Sequence, residues 1–466
     1  MARPRGSVDL PITLDREAGA PLREQIAEQV RAAVRERRLR PGVALPATRR
    51  LATDLGVSRG VVVEAYADLL SQGFLVTNGR SAPRVARLPG ASGKASDGQH
   101  GRRAGYRFDL APEVPDVGMF PRREWLRSLH FALETAPDQA LDYGDPRGTT
   151  QLREALADYL GRTRGVIAEP SQIIVCQGSI QAIDLACRTL AADGVDRLAL
   201  EDPCAHGIRH ACRYAGLQAV DTPVDEHGLS LEQLLAGSAQ ATIVSPVHQF
   251  PTGAALSSAR RRELVKWVTA QGTALVEDDY DAEYSFAGQA PPALQGAAPD
   301  RVIYIGSASK ALAPAIRLGW AVFPKRLTGA AGELKEALDG GSPALEQIAL
   351  AQMIAQSTYE HHIRRARAEY GRRRFALLEA LARRLPWARV SGADAGLHFA
   401  MQLGRAVDSA MIESHAARRH IRVRALESFL AARSPQTSTL LLGYGRLPAS
   451  SAGAAVEALA DVLSAA

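Results

Sequence analysis

The 466-residue sequence has no apolar run long enough to cross a membrane. Its opening "MARPRGSVDL" lacks the apolar core of a secretory signal. The expectation is a cytoplasmic protein with no membrane partner. Cysteine is scarce: Cys176, Cys187, Cys204 and Cys212 are the only four, and none stands in a CxxC pair. That spacing disfavours a disulfide framework or thiolate metal cage and favours small apolar side chains in a reduced compartment. No internal repeat is visible. What is present is ordinary for a globular chain, 46% hydrophobic and 23% charged, and long enough for two or three domains.

The net charge of +6 is unevenly placed. Residues 1–107 carry 19 Lys and Arg against 10 Asp and Glu, while the remainder carries 37 against 40. The positive excess therefore belongs to the first quarter, as expected where that part meets a polyanion. Residues 87–107, "RLPGASGKASDGQHGRRAGYR", are Gly-, Ser- and Arg-rich without apolar periodicity and predict a flexible linker. The predicted division is a head over 1–86, the linker, and a body over 108–466. In the body, "QIIVCQ", "RLALED", "ATIVSP", "TALVED" and "RVIYIG" alternate with helical patterns, which predicts βαβ units and a large, mostly parallel sheet. The large lobe is expected at about 130–340. A smaller α/β lobe is expected at about 341–466, joined by 108–129, and it contains an Arg-rich helix over 361–385.

In the head, Leu22, Ile26, Val30 and Ala33 recur at helical spacing, and "RPG" at 40–42 stops that helix. A short helix, a break at Gly56 and a second helix capped by Ser58 follow, then two short strands around Asn78–Gly79. Two helices with a basic surface and a hairpin suit a winged helix-turn-helix on duplex DNA; a protein-docking module is the alternative. Arg59 opens the second helix and is the candidate base contact, because a guanidinium pairs bidentately with guanine. Arg49, Ser58, Arg80 and Arg84 are the candidate phosphate contacts. Over "PLREQIAEQVRAAVRERRLRPGVALPATRRLATDLGVSRGVVVEAYADLLSQGFL" the head resembles the winged-helix domain of GntR-type transcription regulators. Gly60 and Val63 stand where polar or basic side chains often read DNA in that family, and Arg80 replaces the usual wing glycine.

In the body, "VIYIGSASKALAPAIRLGW" delivers Lys310 from a strand end among Ser307 and Ser309, with Arg317 seven positions on. A lysine so placed is seldom there for packing, and one use for it is a Schiff base to a carbonyl cofactor. "TALVEDDYDAEY" puts Asp278 at another strand end, suited to a pyridine nitrogen, with Tyr280 placed for a ring hydroxyl. Alone, such an acidic end binds a metal or caps a helix equally well. "VCQGSIQAIDLACRTL" turns at Gly178 into a helix whose N–H groups at Ser179 and Ile180 can hold a phosphate dianion. Ser307, Ser309 and Arg317 complete that cradle. Together these are the parts of a pyridoxal 5'-phosphate site.

From "DLAPEVPDVGMFPRREWLRSL" onward the chain is similar to fold type I aminotransferases, and resembles more closely the aminotransferase-like body of MocR-type regulators. The landmarks are "YGDPRG", "SPVHQFPTG", "EDDYDAEY" and "SASKALAPAIRLGW". The resemblance implies that Lys310 forms the Schiff base, Asp278 pairs with the pyridine nitrogen, and Ser307, Ser309 and Arg317 hold the phosphate. It also places His248 with the cofactor. Tyr143 would reach the phosphate of the neighbouring subunit, which implies a homodimer.

Three positions depart from the pattern. Ala205 stands in place of a ring-stacking tyrosine, with His206 beside it as a possible substitute. Phe250, after Gln249, replaces an asparagine. Leu441 replaces the arginine that clamps a substrate carboxylate, with Arg446 nearby. These departures favour a regulator whose effector is the cofactor, or an amine adding to it, over a tethered working aminotransferase. A dimer that no longer holds cofactor is the third reading.

Overall fold

The computed structural model describes residues 12–16, 18–36, 38–77, 82–86, 105–112, 114–392, 394–404, 407–432 and 438–464. The chain divides into two compact units, Met1–Arg102 and Arg103–Ala466. In the first, α1 (Leu22–Arg35), α2 (Thr48–Leu55) and α3 (Arg59–Ser71) enclose a core that includes Ile26, Val30, Leu51, Val62, Tyr66 and Leu69. The apolar residues of α1 fall four apart, so one stripe faces inward. Gly56 ends α2 in the left-handed region at φ 62°, where a Cβ is strained, and Val57 N–H closes the turn onto Ala52 O at 3.0 Å. Tyr66 ties α3 to the chain before α2, its buried hydroxyl donating to Pro46 O at 3.0 Å. Strands β1 (Leu75–Val76) and β2 (Arg84–Val85) pair antiparallel. The expected Asn78–Gly79 turn, Arg80 and residues 87–104 of the expected linker lie outside the described residues.

The second unit is built on one large sheet. Its strands are β3 (Ile173–Cys176), β4 (Arg197–Asp202), β5 (Gln218–Asp225), β6 (Gly228–Leu229), β7 (Ala241–Val244), β8 (Ala274–Asp278), β9 (Val302–Ser307) and β10 (Gly319–Val322). They lie in the order β3-β10-β9-β8-β7-β4-β5-β6. Neighbours from β9 across to β5 are parallel, and β10 runs antiparallel to both of its neighbours. β3, β7, β8 and β9 are buried along their whole length, as continuous apolar runs require when helices cover both faces. All five strands predicted from apolar runs are present; β10 was not predicted, because its residues were absorbed in the lysine motif.

Helices α4 (Arg122–Thr135), α5 (Thr150–Arg164) and α7 (Ala344–Ala355) cover one face of the sheet. Helix α6 (Ser179–Ala192) helps cover the other. Trp125, Ala132, Ile348 and Met353 bind α4 and α7 to the large sheet. Residues 122–129 and 344–355, expected in the smaller lobe, therefore pack on the large sheet instead. The long helix α8 (Thr358–Arg384) leads into a four-stranded antiparallel sheet of Arg389–Ser391, His398–Gln402, Thr439–Gly443 and Arg424–Ala425. Phe108–Asp109 joins this lobe by parallel pairing with Ile421–Arg422. Among the described residues no helix is long and apolar enough to cross a membrane.

Candidate functional site

β3 leads through Gln177 and Gly178 into α6. Gly178 holds φ 87° and ψ 172°, which a residue with a Cβ rarely adopts. A Cβ there would also lie 2.9–3.0 Å from the Arg317 guanidinium, and one on Gly319 would lie 2.7 Å from the Gly178 carbonyl carbon. The two glycines let β10 and Arg317 close on the first turn of α6, whose leading N–H groups, at Ser179 and Ile180, have no partner within the helix. Arg317 is itself left-handed at φ 53° and donates to Gln177 O at 2.6 Å. Ser307, at the end of β9, pairs with Gly319, and its hydroxyl accepts the Ser309 N–H at 3.3 Å. Helix amides, two hydroxyls and a guanidinium form a donor set that fits a phosphate dianion.

Asp278 ends β8 opposite Ile305 and is 8% exposed. Lys310 Nζ lies 5.8 Å from the centre of the Tyr280 ring, and the Lys310 carbonyl accepts from the Tyr284 hydroxyl at 3.1 Å. The Tyr280 hydroxyl lies 3.0 Å from His248 Nδ1, and that nitrogen also meets Asp281 Oδ2 at 2.9 Å. The His398 ring packs 4.7 Å from His248, with Nε2 3.1 Å from Pro251 O. Burial, helped by His248 and Lys310, holds the His398 imidazole well below the ordinary range, so it is neutral. Burial pushes the Glu201 carboxyl up to about 8, with the Asp278 charge adding to the shift against bonds from Ser245 N–H and the Gln249 amide. Behind Asp278, Arg164 grips Asp279 at 2.7 and 3.2 Å, and Tyr304 donates to the same carboxylate at 2.7 Å. His398, Glu201 and this buried pair were missed by the sequence reading. Of these, Glu201 in "RLALED" and Asp279 in "EDDYDAEY" carried a local sign, an acidic residue at a strand end.

The three departures have structural answers. Ala205 precedes the helix His206–Tyr214, and the exposed His206 lies 5.3 Å from Phe429. Phe250 meets Phe429 edge-on at 4.9 Å and His398 at 5.4 Å. Phe429 arrives from the smaller lobe, its carbonyl accepting Cys204 N–H at 3.1 Å while Ala431 N–H donates to Asp202 Oδ1 at 2.8 Å. Leu441 is buried in the small sheet between Ala400 and Arg424. Arg446 is no substitute for a carboxylate clamp, because Asp109 Oδ2 at 3.1 Å and Pro115 O at 3.4 Å hold it. Tyr143 is 96% exposed and lines, with Gln177, a cleft of about 860 Å³.

In the head, Ser58 takes the N-cap position of α3, but its hydroxyl makes no cap bond, contrary to expectation. Arg59 is exposed, with Nε 3.5 Å from Thr48 Oγ1. Gly60 and Val63 continue that exposed stripe, and Arg49 is exposed on α2. Arg84 donates to Gly42 O at 2.8 Å, so part of its guanidinium ties the hairpin to the loop before α2.

Comparison with known proteins gives two family matches. "Aminotransferase class I and II" matches residues 123–447, and "Bacterial regulatory proteins, gntR family" matches residues 22–85. The probable rhizopine catabolism regulatory protein MocR of Rhizobium meliloti is 32% identical over 422 residues, 86% of this chain and 85% of that one. The HTH-type pyridoxine biosynthesis transcriptional regulator PdxR of Corynebacterium glutamicum is 30% identical over 441 residues, 94% of this chain and 95% of that one. Among solved structures, kynurenine aminotransferase of Pyrococcus horikoshii in complex with PMP superposes with a TM-score of 0.71 at 25% identity, covering 78% of this chain and 92% of that one. The α-aminoadipate aminotransferase LysN of Thermus thermophilus, complexed with N-(5'-phosphopyridoxyl)-L-leucine, gives 0.70 at 25% identity, covering 78% and 93%.

Proposed function

Since the chain belongs to the MocR-type branch of the GntR transcription regulators, a winged helix-turn-helix head on an aminotransferase body, we propose that the body binds pyridoxal 5'-phosphate through Lys310 and that occupancy governs how a homodimer holds operator DNA. The aminotransferase fold itself implies this cofactor class. The observation that carries the residue assignment is the closure of Arg317 on Gly178 and the first turn of α6. When bound, the cofactor supplies an aldehyde that condenses with amines and a ring that withdraws electrons. Lys310 supplies the amine. Asp278 faces the ring nitrogen, and Tyr280, oriented by His248 and Asp281, faces the ring hydroxyl. Ser179, Ile180, Ser307, Ser309 and Arg317 hold the phosphate, with Tyr143 contributed across the dimer. Phe250 and Phe429 make the aromatic wall that Ala205 does not.

Sensing rather than turnover is supported by Leu441 and by the engagement of Arg446 elsewhere, which leave a substrate carboxylate without its orienting fork. The effector is the cofactor, or a small amine that adds to it, acting in the cytoplasm where the operator lies. In the head, Arg59 contacts a base edge, Val63 offers an apolar contact for a thymine methyl, and Arg49 and Ser58 contact phosphates. Lys310→Ala should abolish the visible absorbance of bound cofactor while leaving the far-ultraviolet dichroism unchanged. Retained absorbance would remove the basis of the assignment.

A further inference from the structure

A separate cavity of about 680 Å³ opens among α5, the loop 282–290 and the first turns of α8. Tyr159, Ile363 and Phe286 give it apolar walls, while Arg364 and Arg367, three residues apart on one face of α8, stand at its edge. Arg367 spends only Nε, donating to Glu283 O at 2.6 Å. Among the described residues no carboxylate lies within ion-pair distance of either guanidinium. The other wall charges are matched: Arg164 by Asp279, and Arg162 by Asp158 and Glu360. Burial pushes the Glu283 carboxyl up to about 8, so at neutral pH it presents a donor rather than a charge. The cavity thus combines unbalanced positive charge with apolar surface, and its volume is ordinary for a small-molecule site.

We propose that this cavity binds a small organic carboxylate with an apolar body, at a site distinct from the one that holds the cofactor. Two of its walls connect to the lysine's surroundings. Arg164 holds Asp279, the neighbour of Asp278, and Tyr284, the neighbour of Glu283, donates to the Lys310 carbonyl. A carboxylate that pulls on Arg164 or on the 282–284 segment alters supports of the cofactor site, so the cavity acts as a second effector site, with coupling equal in both directions. The coupling rests on the cofactor assignment; the binding does not.

Calorimetric titration of the full-length protein with benzoate tests the site, with benzamide as the uncharged analogue of the same shape. The expected result is saturable benzoate binding, at least about tenfold weaker in Arg364→Gln/Arg367→Gln, with benzamide binding no better than to that variant. Both side chains are exposed, and the single change Arg364→Gln provides a milder test should the double variant fold poorly. Absence of saturable benzoate binding, equal binding by the variants, or equal binding of benzamide overturns the proposal. The Lys310→Ala protein separates the two ideas. It should bind benzoate as the parent does, and if it does while the parent never takes up cofactor, only the cofactor assignment falls.

Discussion

Replacing Arg317 by methionine removes the one guanidinium that closes on the α6 first turn while leaving a side chain of similar length. Both residues carry a Cβ, so the left-handed backbone at φ 53° is equally strained before and after. The bond to Gln177 O takes one of five guanidinium donors and leaves the others for a phosphate. Hydrogen bonds to charged groups contribute roughly 1.5–3 kcal/mol. Arg317 is exposed, so water screens it and the lower part of that range applies. The expected loss of affinity for pyridoxal 5'-phosphate is therefore about tenfold to thirtyfold. Pyridoxal, which has the same aldehyde and ring but no phosphate, should bind parent and variant alike. Titration of cofactor-free protein, followed by visible absorbance, measures both ligands. An equal loss for the two would mean that Arg317 supports the fold rather than the phosphate, and no loss for either would place the phosphate elsewhere.

Arg59→Ala should cost about 1–3 kcal/mol on specific DNA and relax one base position. Competition binding with single-base variants checks this, and a uniform loss on every sequence would make Arg59 a phosphate contact. Glu201 predicts a pH dependence. Its folded pKa of about 8 lies above the ordinary 4.5, so between those values the folded state holds the proton more tightly than the unfolded chain. Stability from this group is fully present at acid pH and declines as pH rises through that window, by on the order of a few kcal/mol. Glu201→Gln should flatten the decline in urea unfolding midpoints between pH 5 and 8; parallel pH curves for the two proteins would contradict it.

What the sequence disclosed follows from how local each signal is. β3, β4, β7, β8 and β9 were legible because strands buried on both faces must be continuous apolar runs. The Gly178 turn and Arg317 were legible as parts of a cradle, although only folding lays β10 beside β3 and so brings Arg317 onto that turn. Phe429 and His398 were not legible. Each comes from the smaller lobe to a wall composed mainly of large-lobe residues, and no periodicity marks such an arrival. The same limit applies to Arg164 and Asp279, 115 residues apart. Ser58 shows the opposite failure: its residue type suits a cap and it takes the N-cap position, yet its hydroxyl makes no cap bond. Arg446 shows that nearness in sequence says nothing of direction, since its guanidinium turns to Asp109.

The central claim is that cofactor held at Lys310 and DNA held by the heads are energetically linked. The most direct measurement is a pair of titrations on the full-length protein, using a DNA fragment that the protein itself selects in vitro. Operator affinity is measured with and without saturating pyridoxal 5'-phosphate, and cofactor affinity with and without saturating operator. Both affinities should change by the same factor, and Lys310→Ala should abolish the change. Affinities that do not respond to the other ligand, in a protein that binds both, would contradict it.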